Sequence, residues 1–157
     1  MAIQEYNDLV YVTDSEGDLD WAIDSNGDFK IADFLDTSLL RSIHGEQRAL
    51  PNEMIIPETR RGWIGNEFQE TEDGSKVWLF EQSPLNRKTL NGVKSALENS
   101  LDWMLDVDAA ISFSVAVNIE EDINGQLFLQ ADMSIQRSTS RTDNRFFTLF
   151  ENSGVTL

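Results

Sequence analysis

From Ile111 to Ile135 apolar and polar side chains alternate almost without interruption, and this constrains the fold more than any other feature of the chain. Ile111, Phe113, Val115, Val117 and Ile119 fall on one side of an extended backbone, with Ser112, Ser114, Ala116 and Asn118 on the other. After a turn between Glu120 and Gln126 that contains Asn124-Gly125, Leu127, Leu129, Ala131, Met133 and Ile135 alternate with Gln126, Phe128, Gln130, Asp132 and Ser134. Asn-Gly readily takes the positive φ of a tight turn, so the pattern predicts an antiparallel hairpin with one buried face. Ser138 to Asn144 reads as a second polar turn and Phe146 to Phe150 as a third strand. Glu151 to Leu157 is a tail too short and polar to stand alone, able to pair with another chain or stay mobile.

The helical signals lie upstream. Ser83-Pro84 reads as a cap and first-turn pair, after which Leu90, Val93, Leu97, Leu101, Met104 and Leu105 recur at three or four residues. Arg87, Lys88 and Lys94 lie toward its start and Asp102 and Asp106 in its last turn, an order opposed to the helix dipole. A shorter helix is expected over 36–45, capped by Asp36 or Thr37, with Leu39, Leu40 and Ile43 inward and Gly45 at its end. Gly74 to Phe80 fits either a strand or one helical turn capped by Ser75. Near the start, Leu9 to Val12, then Leu19, Trp21 and Ile23, then Phe29, Ile31 and Phe34 read as a β-meander around two acidic turns. The expected fold class is α+β: a small antiparallel β-sheet with an N-terminal β-meander, one long helix plus short helices, and a C-terminal β-hairpin. At 157 residues this is a single domain over 1–157. Its parts are the acidic meander at 1–36, short helices and an arginine loop at 37–82, the main helix at 83–107, strands at 110–150 and the tail at 151–157.

A formal net charge of -16 repels phosphate backbones and anionic membrane surfaces, which argues against nucleic-acid and membrane partners. With no cysteine, disulfides, thiolate zinc sites and cysteine nucleophiles are excluded together. No signal peptide or run long enough for a membrane helix is present, so a soluble, unexported chain is expected. The acid is unevenly spread: residues 1–36 hold ten Asp and Glu against Lys30, whereas 37–66 hold three acids against Arg41, Arg48, Arg60 and Arg61. Two partner surfaces, or one solvated acidic face, would explain that asymmetry.

Catalytic motifs are missing. There is no G-x-S-x-G elbow, no phosphate-binding glycine loop, and one histidine, His44, whose place near a helix C-terminus suits an exposed residue favoured by the dipole. Asp14 to Asp18 and Asp24 to Asp28 imitate calcium loops, but Gly27 is fourth from Asp24 and no Glu closes the loop, so no metal is assigned. The most distinctive stretch is Pro57-Glu58-Thr59-Arg60-Arg61-Gly62-Trp63-Ile64-Gly65-Asn66. It suits a gripping surface, with fork-shaped donors, glycines that allow close approach and an aromatic anchor. It equally suits a packing loop whose Trp63 plugs the core and whose arginines pair with nearby carboxylates.

Taken in order, the acidic meander with Gly-Asp-Leu-Asp-Trp and Asn-Gly-Asp-Phe, the short helix, the Arg60-Arg61-Gly62-Trp63-Ile64-Gly65 stretch, Gly74-Ser75-Lys76-Val77-Trp78-Leu79, the long helix and the terminal hairpin form a recognisable series. It resembles the Mu-like branch of the baseplate wedge and sheath-initiator proteins of contractile phage tails, a class of contractile injection system. The resemblance implies a virion structural protein of the tail baseplate, assembled in the host cytoplasm, with no catalytic duty, cofactor or metal. It implies a helical segment at 75–80. It places partner contacts with the wedge at Pro57, Arg60, Arg61, Gly62, Trp63 and Gly65. The strands at Phe146, Phe147, Thr148, Leu149 and Phe150 would pair with tail sheath protein, and the tail tube or hub lies nearby. This chain has Thr59 before Arg60 and Trp63-Ile64-Gly65-Asn66 after Gly62, where wider relatives show proline and an aromatic-Gly-Ser sequel. The alternatives are a lysozyme-like glycoside hydrolase of the tail using Glu58 and a second carboxylate, or an acidic interaction module that takes calcium on its turns.

Overall fold

A computed structural model describes residues 8–13, 19–32, 35–53, 61–68, 72–137 and 141–151. The fold is α+β, and its packing separates two compact units, 1–41 and 42–157, with the boundary inside a helix.

In the first unit, β2 (Tyr11–Thr13) and β3 (Leu19–Trp21) form an antiparallel hairpin, and β1 (Asp8–Leu9) pairs with β4 (Ile31–Ala32). The meander read from the sequence is therefore nested: β1 reaches past its neighbours to β4. Val10 is the crossing point, its N–H donating to Lys30 (3.0 Å) and its carbonyl accepting from Ala22 (2.7 Å). Strands of two or three residues close little surface, so Ala22 is buried while Ile23, Phe29 and Ile31 stay exposed, contrary to the apolar side expected of them. An Ile23–Phe29 bridge closes the Asp24–Asp28 turn, in which the Asp24 carboxylate accepts the N–H groups of Asn26 (2.8 Å) and Asp28 (3.1 Å). Gly27 supplies the positive φ of 87°. The companion turn at 14–18, and Phe34, lie outside the described residues.

The helix α1 (Asp36–His44) spans the boundary, with Thr37, Leu39 and Ile43 buried at helical spacing. The Thr37 hydroxyl donates to the Leu9 carbonyl, which ties its first turn to β1.

The second unit is built on α2 (Arg87–Leu101), the short α3 (Trp103–Asp106) and the strands β5 (Ser112–Glu121), β6 (Leu127–Gln136) and β7 (Thr142–Glu151). The sheet is antiparallel in the order β5-β6-β7, so the expected hairpin and third strand are present with β6 central. Leu129, Ala131, Met133 and Ile135 of β6 are buried, as are Val93, Leu97 and Leu101 of α2, which packs on β5. Burial fades along β5: Val115 is closed off, Phe113 and Val117 are half-buried, and Ile111 and Ile119 are exposed.

Two helix boundaries differ from expectation. α2 starts at Arg87 rather than at Ser83-Pro84, because Asn86 is the cap and its side chain accepts the Thr89 N–H at 3.0 Å. Pro84 contributes a carbonyl to the Thr89 hydroxyl (2.7 Å), while Leu85 and Leu90 occupy the positions of a hydrophobic staple. At the other end the run to Leu105 is interrupted at Asp102. Leu105 N–H bonds the Asp102 carbonyl, an i to i−3 bond that tightens the turn, and leaves Leu105 exposed while Met104 is buried. Asp108 then takes a positive φ of 57° and reverses the chain into β5.

Candidate functional site

The segment 45–50 is the spine of the region around the arginine stretch. Gly45 and Gln47 exchange backbone bonds with Ser75, Ser75 N–H to Gly45 carbonyl (2.8 Å) and Gln47 N–H to Ser75 carbonyl (2.9 Å), forming a parallel bridge at Glu46. The approach is close because Gly74, at φ 99°, has no side chain; a Cβ there would lie 2.5 Å from the Gly45 carbonyl oxygen. Ser75 is buried and its hydroxyl donates to the Ile43 carbonyl at 2.7 Å. The segment 75–80, which periodicity leaves as strand or helix and the resemblance implies is helical, is a 3-10 helix over Val77–Phe80 preceded by that bridge residue. The Trp78 indole N–H donates to the Gln47 carbonyl at 2.9 Å.

Arg61, Gly62 and Trp63 are laid against this spine. Trp63 N–H donates to the Glu46 carbonyl at 3.0 Å. Arg61 sits at φ 43°, an unfavourable conformation for a residue with a Cβ, and its guanidinium is held from three sides. It donates to Glu46 (2.9 Å) and Glu81 (3.2 Å) and lies 5.0 Å from the centre of the Trp78 ring. Partial desolvation works against the cation, but the charges of Glu81 and Glu46 outweigh it and push its pKa above the ordinary value. Gly62, at φ 110°, passes so near Arg48 that a Cβ would fall 2.8 Å from the Arg48 Cβ.

From there a 3-10 helix, Ile64–Phe68, carries the apolar face of the site. The Trp63 indole folds over Gly65, where a Cβ would lie 2.2 Å from the ring. Buried Asn66 accepts the Asp73 N–H (3.0 Å) and donates to the Asp73 carbonyl (2.9 Å), so one amide side chain closes the acidic loop on both its donor and its acceptor. What this frame presents outward is hydrophobic: Trp63 is 49%, Ile64 71% and Phe68 84% exposed. A pocket of about 300 Å³ opens beside Trp63 and Ile64, edged by Arg48, Arg61, Glu67 and Glu72, with Arg48 ion-paired to Glu67 at 3.3 Å.

The sequence-predicted residues are thus brought together in part. Arg61, Gly62, Trp63 and Gly65 share one braced loop, whereas Pro57, Glu58 and Arg60 lie outside the described residues. The geometry distributes the parts differently from a scheme in which arginines face outward and tryptophan anchors them: Arg61 is held by the chain's own carboxylates and Trp63 is half exposed. Glu46, Asn66, Gly74, Trp78 and Glu81 were not singled out as supports. Arg61 reaches Glu46 and Glu81 across 15 and 20 residues, a spacing that carries no periodic signal. Phe146 to Phe150 lie in β7, with Phe147 edge-on to His44, ring centres 6.3 Å apart. Phe146 is on the opposite face and 67% exposed.

Among the described residues no group of three or more His, Asp or Glu side chains is placed to hold a metal ion, and no helix is long and apolar enough to cross a membrane. A family model described as phage protein GP46 matches residues 35–142. The baseplate protein gp46 of Escherichia phage Mu is 27% identical over 105 residues, covering 66% of this chain and 71% of that protein.

Proposed function

The chain belongs to the phage protein GP46 family and is a structural protein of the phage baseplate; from that premise we propose that it joins the wedge to the first sheath ring of a contractile tail and templates sheath assembly. The observation that carries the wedge half of this reading is the outward presentation of Trp63, Ile64 and Phe68. Large apolar side chains supported from beneath by a glycine-dependent loop, an asparagine clamp and a paired arginine are positioned for docking before a partner arrives. Arg61, Gly62 and Gly65 hold the face, Trp63 enters a wedge partner, and Pro57 and Arg60 extend the contact. The sheath half rests on the three-stranded sheet, where Phe146, Phe147, Thr148, Leu149 and Phe150 of β7 stand at one side of β6. The part is structural and places the chain in the tail baseplate of the virion after assembly in the host cytoplasm.

Double substitution Trp63→Ser and Phe68→Ser tests the wedge contact. Phe68 is largely outside the core and Trp63 half exposed, so the purified variant keeps the wild-type circular dichroism and loses at most about 2 kcal/mol, mainly through Trp63. Incorporation into purified baseplates falls at least about tenfold, the equivalent of about 1.4 kcal/mol of lost docking energy. Full incorporation of the variant overturns the docking role.

A further inference from the structure

The short strands of the first unit leave one of their sides uncovered. Residues directly opposite each other in an antiparallel pair share a face, as do residues two apart along a strand. The pairs Tyr11–Trp21, Ile23–Phe29 and Leu9–Ile31 therefore gather Trp21, Ile23, Phe29 and Ile31 on one side. The Trp21 and Phe29 rings meet edge to face there, with centres 6.1 Å apart. Ala22, which points the other way, is buried, whereas Ile23 is 56%, Phe29 55% and Ile31 62% exposed. Apolar residues exposed singly are ordinary, but adjoining large ones form the kind of patch that marks a contact surface. The surroundings of this patch are acidic. Asp24 and Asp28 stand next to Ile23 and Phe29 in the turn that joins them, and exposed Asp20 precedes Trp21. Among the described residues none of these three carboxylates is ion-paired; Asp24 accepts N–H groups of its own turn, and Asp20 accepts the Trp21 N–H at 2.7 Å. Over residues 1–36, ten Asp and Glu against Lys30 leave a formal charge of -9.

We propose that this face is a docking surface for a segment of another protein that brings apolar side chains flanked by Lys or Arg. Contact with Trp21, Ile23, Phe29 and Ile31 supplies the affinity, and the carboxylates around them select the charge of the occupant. The same charge disfavours the other occupants of an apolar face. A second copy of this chain brings a net charge of -16 of its own, and nucleic acid and anionic membrane are repelled by the same field. The face lies wholly within the unit 1–41, apart in sequence from Trp63 and from β7. It is thus a contact additional to the wedge and sheath contacts proposed above, and it does not rest on them.

Cross-linking in purified tails tests the proposal on the assembled protein. With Phe29→p-benzoylphenylalanine, irradiation is expected to join position 29 to a segment of another protein in which Lys and Arg outnumber Asp and Glu, read by mass spectrometry of the cross-linked peptide. A cross-link to a segment without that excess, to a second copy of this chain, or to nothing in tails that contain it overturns the proposal. The isolated full-length chain gives a second measurement. A synthetic peptide alternating Val with Lys is expected to bind at least about tenfold more tightly than the same peptide with Glu for Lys or Ser for Val, with amide NMR shifts confined to 19–32. The double substitution Ile23→Ser and Ile31→Ser, with the fold checked by circular dichroism, is expected to weaken that binding at least about tenfold. Equal affinity for the three peptides, shifts centred outside 19–32, or unchanged affinity in the double variant overturns the assignment of the face.

Discussion

Two glycines separate conformation from packing. Gly27 and Gly74 both have positive φ, but a Cβ on Gly27 meets nothing within 4 Å, whereas one on Gly74 strikes the backbone of Gly45. Gly27→Ala therefore costs backbone strain alone, about 1 kcal/mol. Gly74→Ala adds a clash that neither strand can relieve by changing a rotamer, and is expected to cost about 3 kcal/mol or more. Urea unfolding of the two variants checks the ordering; equal midpoints would show that the Gly45–Gly74 approach is not tight in solution. Arg61 makes a related point. Its φ of 43° is offset by two carboxylates and an indole, so the loop's unusual backbone is maintained by side-chain contacts rather than by its own preferences.

Among elements, those with a strong local period were legible in the sequence and those without one were not. The alternation from Ser112 to Gln136 located β5 and β6, and the Val93, Leu97, Leu101 spacing located α2, since each pattern is written in neighbouring residues. The start of α2 is not decided by local pattern because Ser83 and Asn86 are both competent caps; in the fold Asn86 takes the role and Leu85 beside it is buried. The spine at Gly45–Leu50 was invisible, because its partners are Trp63, Ser75 and Trp78. One local device recurs: Asp122-Ile123-Asn124-Gly125-Gln126 repeats the bonding of Asp24-Ser25-Asn26-Gly27-Asp28. Asp122 accepts the N–H groups of Asn124 (2.8 Å) and Gln126 (2.7 Å), and these backbone bonds hold both aspartates below the usual carboxylate range. A depressed carboxylate contributes stability above its unfolded value and loses it as pH falls through the folded one. Asp122→Ala is accordingly expected to loosen the β5-β6 turn at pH 7, with faster amide exchange at 122–126, and to differ little from wild type once the carboxylate is protonated at low pH. Equal exchange rates at pH 7 would remove the aspartate from its part in the turn.

At the scale of the whole molecule, His44 links stability to pH. His44, open to solvent on one side with its ring against Phe147, is pushed below its ordinary value of 6.5 by desolvation. Its contribution is fully present above the unfolded value and is lost as pH falls below 6.5 through the lower folded one. Glu53 follows at lower pH, where Lys76 and the Leu50 N–H overcome the opposing effect of desolvation. Stability measured by urea midpoint is thus expected to fall as pH drops below 6.5, and His44→Gln to abolish that fall. A variant that keeps it would place the titration elsewhere. The parallel bridge between Glu46 and Ser75 also has a consequence in time. The face bearing Trp63, Ile64 and Phe68 exists only after segments 19 to 32 residues apart have closed on one another, as the Arg48–Glu67 and Ile43–Ser75 contacts require. Such closures come after helix and hairpin formation in a folding chain. Under the docking role proposed for this face, a chain that has not finished folding has no contact to offer, so folding would precede incorporation.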